Sequence, residues 1–184
     1  VVFAASREDA GRAGVRLLVW NGLEGLFLLV GVALHIAANG AYDTKIARLD
    51  AASLGGGFIF AGLMIRVGAP LAHVWLKDVI AHATPTGAAA LCAFAPILGI
   101  YALARFFPAE ALLVPIGAAM IAIGAFFAAA EDDLRAASAY ALTAHLGICV
   151  ALVGVGGLAL AAVEVHAFAA ILAFTALQMA LGAL

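Results

Sequence analysis

The chain has 184 residues, of which 67% are hydrophobic and only 11% are charged, with a formal net charge of −2. Its mean hydropathy is +1.17, whereas a soluble domain carries about 45–50% apolar and about 25% charged residues. This composition excludes a water-soluble domain and indicates a protein whose solvent is the lipid bilayer. It also excludes nucleic acid as a partner, because the sequence has no dense basic stretch.

Six apolar segments of the length of a membrane-spanning helix follow one another along the chain. They cover about 14–38, 53–76, 87–106, 110–130, 137–162 and 165–184. Alanine and leucine dominate, and an open sheet could not satisfy its backbone in lipid. The sequence therefore predicts an all-α fold, a polytopic transmembrane helix bundle that forms a single membrane domain over residues 1–184. Because residue 1 is Val and the last eighteen residues carry no charge, we expect a piece of a longer membrane protein.

The positive charges of the short loops predict an orientation, since cytoplasmic loops carry an excess of Lys and Arg. The side that holds the N-terminus has five, Arg7, Arg12, Arg16, Lys77 and Arg135, and the other side has three, Lys45, Arg48 and Arg105. We therefore expect an integral membrane protein with a cytoplasmic N-terminal stretch, in a bacterial inner membrane.

The first segment contains an acidic residue and a histidine that fall on nearly one helix face. Glu24 and His35 are eleven residues apart, and Glu24 lies in the middle of the apolar run. An ionisable residue inside a membrane is costly and often functional. Glu24 is therefore a candidate proton acceptor or counter-ion for Arg66, and the alternative is a packed, protonated carboxyl group that contacts a helix outside this chain.

The second segment contains an arginine inside an apolar run, followed by a proline and a histidine. His73 lies seven residues after Arg66, which would place both on one helix face, and Pro70 between them should kink or break the helix. Broken helices at membrane depth occur where they line a cavity or are buried in protein. These residues predict a cavity with a charge at its edge, and the alternative is a helix end from which Arg66 reaches the interface.

Two further histidines lie in the last two segments. His145 is about ten residues into the fifth segment, and His166 opens the sixth. A lone buried histidine is either a packing residue or a proton relay, and His166 is also placed to be interfacial. No catalytic or nucleotide-binding motif accompanies them, so catalysis by this chain itself is not indicated.

Three stretches carry a family resemblance. Residues 66–108, "RVGAPLAHVWLKDVIAHATPTGAAALCAFAPILGIYALARFFP", residues 131–147, "EDDLRAASAYALTAHLG", and residues 166–184, "HAFAAILAFTALQMALGAL", occur in that order. They resemble motifs of the antiporter-like membrane subunits of respiratory complex I and of Mrp-type sodium/proton antiporters. In that family a lysine precedes a histidine and a Trp-Leu-Pro-Asp-Ala run in the first stretch. The second stretch begins a helix with Asp and Lys, and the third carries two histidines before a lysine.

The resemblance implies a bundle of about fourteen helices, of which this chain is similar to the sixth to about the eleventh, with one broken helix. It implies proton or sodium movement through buried polar residues, with other membrane subunits as partners and no cofactor in this chain. The ion-path candidates are Arg66, His73, Glu24, His145 and His166. The structural residues at the broken helix are Pro70, Trp75, Asp78 and Pro85, and the polar stretch 73–85 would be the connection into the next helix.

The resemblance fails at positions where the family has titratable side chains. The lysine of the broken helix falls on Arg66, the lysine of the next helix on Ile97, and the second histidine and lysine of the last segment on Ala170 and Phe174. Glu24 does not match the family's essential glutamate. Two hypotheses follow: a proton- or sodium-translocating subunit of an NADH:quinone oxidoreductase-type or antiporter complex, or a degenerate paralogue with a structural role. An unrelated polytopic scaffold is a third alternative.

Overall fold

The computed structural model describes residues 8–39 and 48–183, so that Arg7 and Lys45 of the orientation count lie outside the described residues. The described residues form seven α-helices and no β-strand. The helices are α1 (Glu8–Asn39), α2 (Leu54–Arg66), α3 (Val74–His82), α4 (Pro85–Phe106), α5 (Leu113–Ala130), α6 (Leu134–Val155) and α7 (Ala159–Leu181). The all-α prediction is confirmed.

Five of these helices, α1 and α4 to α7, are long and apolar enough to cross a membrane. Large apolar side chains such as Leu29, Phe126 and Phe168 are exposed on their outer faces. A soluble monomer rarely exposes continuous apolar surface on this scale, whereas a bilayer solvates it. The fold is therefore a transmembrane helix bundle, as the sequence predicts.

The predicted helix break is present, and it has two helical halves. α2 ends at Arg66 and α3 begins at Val74, and Gly68 and Leu71 between them have φ angles of 70° and 77°. The indole Nε1 of Trp75 donates to the carbonyl oxygen of Ile65 at 3.0 Å. Trp75 of the second half thus gives a second donor to a carbonyl group that also accepts from the backbone nitrogen of Gly68 at 3.2 Å, which ties the two halves together across the break.

The second half corrects one expectation, because most of stretch 73–85 is helix α3 rather than a connection. Trp75, Leu76, Val79 and Ile80 are all buried on one face of α3. These spacings of three to five residues are those of an apolar helix face, and they stabilise a helix although polar residues lie among them.

The boundary between the last two helices also differs from the predicted spans. The sequence prediction continues the fifth span to residue 162 and starts the sixth at 165, whereas α6 ends at Val155 and α7 begins at Ala159. Gly156 and Gly157 have φ angles of 70° and 57°, a region that glycine enters without steric cost. Apolar content alone cannot mark this turn, because the residues on both sides are equally hydrophobic.

Helix α6 lies at the centre of the bundle and packs against α3, α4, α5 and α7. Its closest neighbour is α5, and the two backbones approach through glycines: a Cβ atom at Gly117 would lie 2.5 Å from the backbone nitrogen of Ala151. Small residues allow such close packing in lipid. The central position of α6 brings its polar side chains next to both α3 and α7.

Candidate functional site

Three polar side chains of α1 and α2 meet at the end of the first half-helix. Arg66 donates from Nη1 to Glu24 Oε2 at 3.1 Å and to Asn21 Oδ1 at 2.9 Å. The side chain of Glu24 is 8% exposed and that of Arg66 is 25% exposed. The arrangement is a largely buried ion pair with a neutral third partner.

The local fold explains why these residues meet. Arg66 is the last residue of α2, where the negative end of the helix dipole favours a cation. Asn21 and Glu24 are three residues apart on α1, hence on one face. Because the guanidinium group keeps its proton, the carboxylate of Glu24 is the member of the pair that can accept and release one.

His73 does not share a face with Arg66, contrary to the spacing argument. The residues between them are not helical, so the periodicity of a helix does not apply across the break. The ring of His73 lies against α5 and α6, with centroids 6.4 Å from Phe127 and 6.2 Å from Tyr140. Its Nδ1 is buried and has no hydrogen-bond partner among the described residues.

Asp78 of α3 connects the broken helix to α1. Its carboxylate is 8% exposed; it accepts a hydrogen bond from Arg16 and lies 3.3 Å from the Nζ of Lys77. A buried carboxylate in an apolar site needs such cationic partners. At the other end of α3, Arg135 Nη2 donates to the carbonyl oxygen of Ala83 at 2.7 Å. Both contacts fix α3 relative to the long helices.

Pro85 and Pro70 have different places in this region. Pro85 is the first residue of α4, a position where its missing N–H is no loss. The side chain of Thr84 caps the same helix by accepting from the backbone nitrogen of Gly87 at 3.2 Å. Pro70 lies within the break itself, in agreement with the expectation that it interrupts the helix.

The structure brings His145 and His166 together, which the sequence analysis treated separately. Nδ1 of His145 lies 3.2 Å from Nε2 of His166, and the rings stack with centroids 5.1 Å apart. The edge of the pair meets the ring of Phe174 at 5.3 Å. Such a pair can share one proton between its two facing nitrogens.

Apolar side chains surround this histidine pair. A cavity of about 250 Å³ beside it is lined by Ala170, Phe174 and Leu177. A second cavity, of about 390 Å³ between α4 and α7, is lined by Ile97 and Tyr101 and ends at Arg105 and Glu164. The family's titratable positions at Ile97, Ala170 and Phe174 therefore carry groups that hold no proton.

Sequence reasoning did not find several polar partners. Asn21, Arg16, Ser138 and Gln178 were not site candidates, although each makes a side-chain hydrogen bond with a residue of another helix. For Asn21, the available signal was its i,i+3 spacing to Glu24. Within the described residues, no group of three or more His, Cys, Asp or Glu side chains could hold a metal ion.

The fold and these buried groups define a polytopic membrane protein with ionisable side chains inside the bilayer. Its sequence matches, over residues 1–182, the family described as NADH:quinone oxidoreductase/Mrp antiporter, transmembrane region. The chain belongs to this family.

Individual relatives agree with the family match. NADH-quinone oxidoreductase subunit N 2 of Rhizobium meliloti is 28% identical over 84% of this chain and 36% of its own length. NADH-quinone oxidoreductase subunit N of Azorhizobium caulinodans is 31% identical over 83% of this chain and 36% of its own length. The chain thus spans about a third of the length of these relatives.

Solved structures share the fold. The chain superposes with a TM-score of 0.87 on a chain of the Mrp complex from Dietzia sp. DQ12-45-1b, at 21% identity over 96% of this chain and 36% of that one. A chain of the membrane-bound sulfane sulfur reductase, an archaeal respiratory membrane complex, gives a TM-score of 0.86 at 21% identity, over 98% of this chain and 42% of that one.

Proposed function

We propose that this chain is part of a membrane subunit that moves protons or sodium ions in a multisubunit complex of the complex I or Mrp antiporter type. The observation that carries the proposal is the buried contact of Arg66 with Glu24 at the end of the first half-helix. An ionisable side chain inside a membrane is costly to keep there and is by default a candidate for an ion pathway. Family membership supports the same class of activity.

In the proposed mechanism Arg66 is a fixed positive charge and Glu24 is the group that takes up a proton. Protonation of Glu24 removes the attraction between the two side chains. Arg66 then keeps its hydrogen bond with Asn21 and can pair with another anionic group. His73, His145 and His166 serve as relays, because neutral imidazole both accepts and donates a proton. The histidines favour protons over sodium as the transported ion.

The chain's place in a cell follows from the same proposal. We propose that the N-terminal stretch lies in the cytoplasm of a bacterium and the bundle in its inner membrane. The proposal is supported by Arg12, Arg16 and Arg135, which belong to the side that is richer in Lys and Arg. Other membrane subunits would cover the exposed apolar faces. Any redox chemistry that drives transport would belong to those partners.

A second function, that of a structural subunit which no longer conducts, is supported by a different observation. Ile97 and Phe174 occupy positions where the family has lysines, and both line apolar cavities. A side chain that cannot bind a proton interrupts a chain of proton transfers. The bundle and its partners could persist after such a loss.

Flux measurements separate the two functions. The intact complex that contains this chain is reconstituted into proteoliposomes, and proton and sodium fluxes are measured for the native protein and for Arg66→Ala. The matched control is Arg12→Ala, since Arg12 is 82% exposed and its contact with Asp9 is 3.9 Å long. Such a surface pair contributes little.

Flux in the native complex that falls to background in Arg66→Ala, but persists in Arg12→Ala, supports the translocating subunit. Undetectable flux in an intact native complex supports the structural subunit instead. Flux that is the same in all three proteins would overturn the place of Arg66 in the path.

A further inference from the structure

A second polar contact joins α6 and α7, about two helical turns from the histidine pair. Gln178 is fully buried, and its Nε2 donates to Ser138 Oγ at 2.7 Å. Ser138 in turn donates to the carbonyl oxygen of Arg135 at 2.7 Å.

Two oxygen atoms beside this contact lack a hydrogen-bond partner among the described residues. They are Oε1 of Gln178 and Oγ1 of Thr175, and both are buried. Gln178 and Thr175 are three residues apart on α7, which separates their Cβ atoms by about 5–6 Å. A water molecule can bridge two groups at that separation, and buried water is held by such otherwise unsatisfied polar atoms.

The site lies near one surface of the bundle. Ser138 is in the first two turns of α6, and Gln178 is one turn before the end of α7. Pro85, the first residue of α4, packs against Gly182 just after α7. Three helix ends therefore meet on the side where Arg135 contacts the end of α3.

The histidine pair lies deeper along the same two helices. His145 is seven residues after Ser138 on α6, a rise of about 10 Å. On α7, Phe174 lies against His145 and directly precedes Thr175. The Gln178 contact and the histidine pair thus lie on the same two helices, about 10 Å apart along α6, with the ring of Phe174 beside His145.

We propose that Gln178, Thr175 and Ser138 form a hydrated access site, in which bound water receives protons from the side of Arg135 and passes them towards His145 and His166. As a step of proton transport this rests on the proposed function above. The partners are neutral oxygens, no carboxylate is among them, and the Arg135 cation begins the same helix. Because the site has no carboxylate to neutralise a resident sodium ion, these features favour bound water that passes a proton on.

Cysteine accessibility tests the hydration directly. In the intact complex with Cys92→Ala and Cys149→Ala, the variant Ser138→Cys is treated with ethylammonium methanethiosulfonate, and modification is followed by mass spectrometry. The matched control is Ala139→Cys, at the neighbouring buried and apolar position. We expect Ser138→Cys to react at least about tenfold faster, because the reactive thiolate forms where water solvates it.

A second probe and a flux measurement complete the test. Thr175→Cys is expected to react like Ser138→Cys, and it keeps the test valid if one variant fails to assemble. Gln178→Leu is expected to lower proton flux severalfold, while Met179→Leu at the neighbouring exposed position leaves it unchanged.

Each outcome has one meaning. Reactive cysteines with a lower flux in Gln178→Leu support the access site. Reactive cysteines in a native complex without flux leave the hydrated site standing and overturn the proposed transport. Cysteines that react no faster than Ala139→Cys, or a Gln178→Leu variant with native flux, overturn the access site.

Discussion

At the scale of single residues, the side chain that distinguishes this chain is Arg66. Lysine can give up its proton when it is desolvated, whereas the guanidinium group of arginine stays charged. Arg66 and Glu24 therefore make a contact in which only the carboxylate changes its charge. Such a pair keeps a positive charge on Arg66 inside the membrane. Only Glu24 can bind a proton and release it again.

The substitution Arg66→Lys tests this difference. It keeps a positive charge near Glu24 and introduces an amine that can release a proton, so we expect proton flux in the reconstituted complex to rise severalfold. Arg12→Lys at the protein surface is the control and should leave flux unchanged. A flux that falls in Arg66→Lys would mean that the site requires the contacts of Arg66 Nη1 with both Glu24 and Asn21, rather than its fixed proton.

The substitution Glu24→Gln tests the ion pair as a stabilising contact. It leaves Arg66 partly buried without a counter-ion, and removing one partner of a buried pair costs about 3–5 kcal/mol. We expect a lower midpoint of thermal unfolding for the complex, and we expect Glu24→Gln combined with Arg66→Met to recover most of the loss. An additive loss in the double variant would show that the two side chains are not coupled.

The sequence was informative about this contact only in part. It offered Glu24 as a counter-ion for Arg66, because both are charges that need a partner in an apolar run, and the structure places the two side chains together. Asn21 was not predicted, since a neutral amide in a helix gives no signal apart from its i,i+3 spacing to Glu24. Gln178 stayed hidden for the same reason, and its contact with Ser138 joins residues 40 positions apart.

At the scale of helices, the helix breaker predicted the structure correctly, whereas the pattern of polar and apolar residues missed one helix. Pro70 correctly predicted the broken helix, because proline removes a donor and clashes with the preceding turn. Helix α3 was missed because Lys77, Asp78 and His82 give its nine residues the polarity of a loop. Its tertiary packing and the partners of Asp78 decide its structure, and neither can be derived from local sequence.

The contact of α5 with α6 leads to a prediction about these two helices. A Cβ atom at Gly117 would lie 2.5 Å from a backbone nitrogen of α6, whereas one at Gly25 of α1 would meet nothing within 4 Å. Gly117→Ala should therefore separate the helices and lower the unfolding midpoint of the complex. Gly25→Ala should raise it slightly, because alanine favours a helix over glycine by about 1 kcal/mol. Equal effects of the two substitutions would contradict the close packing of α5 on α6.

At the scale of the whole molecule, two of the polar groups, the contact of Arg66 and the histidine pair, are separated by α4. Arg66, Glu24 and Asn21 lie on one side of this helix, and a Cβ atom at Gly99 of α4 would be 2.8 Å from the Cγ of Arg66. The histidine pair lies with α6 and α7 on the other side. Hydrophobicity could predict the bundle that contains both groups, but it could not predict which helix separates them.

Ile97 is the position where one substitution should connect the two groups. It lines the cavity between α4 and α7, two residues before Gly99, and the family has a lysine there. We expect Ile97→Lys to raise proton flux in the reconstituted complex severalfold, because an amine in the cavity provides a proton-binding group between the two sides.

The control is Leu98→Lys, since Leu98 is 56% exposed and faces away from the protein interior. A lysine at a lipid-facing position costs about 2.5–3.5 kcal/mol of insertion free energy, so this variant should reduce the amount of assembled complex without increasing flux per complex. Flux that stays at the native level in an assembled Ile97→Lys complex would mean that the interruption at α4 is not the one that limits conduction. The apolar ring of Phe174 beside His145 would then be the remaining barrier, and Phe174→Lys in the same background should raise the flux.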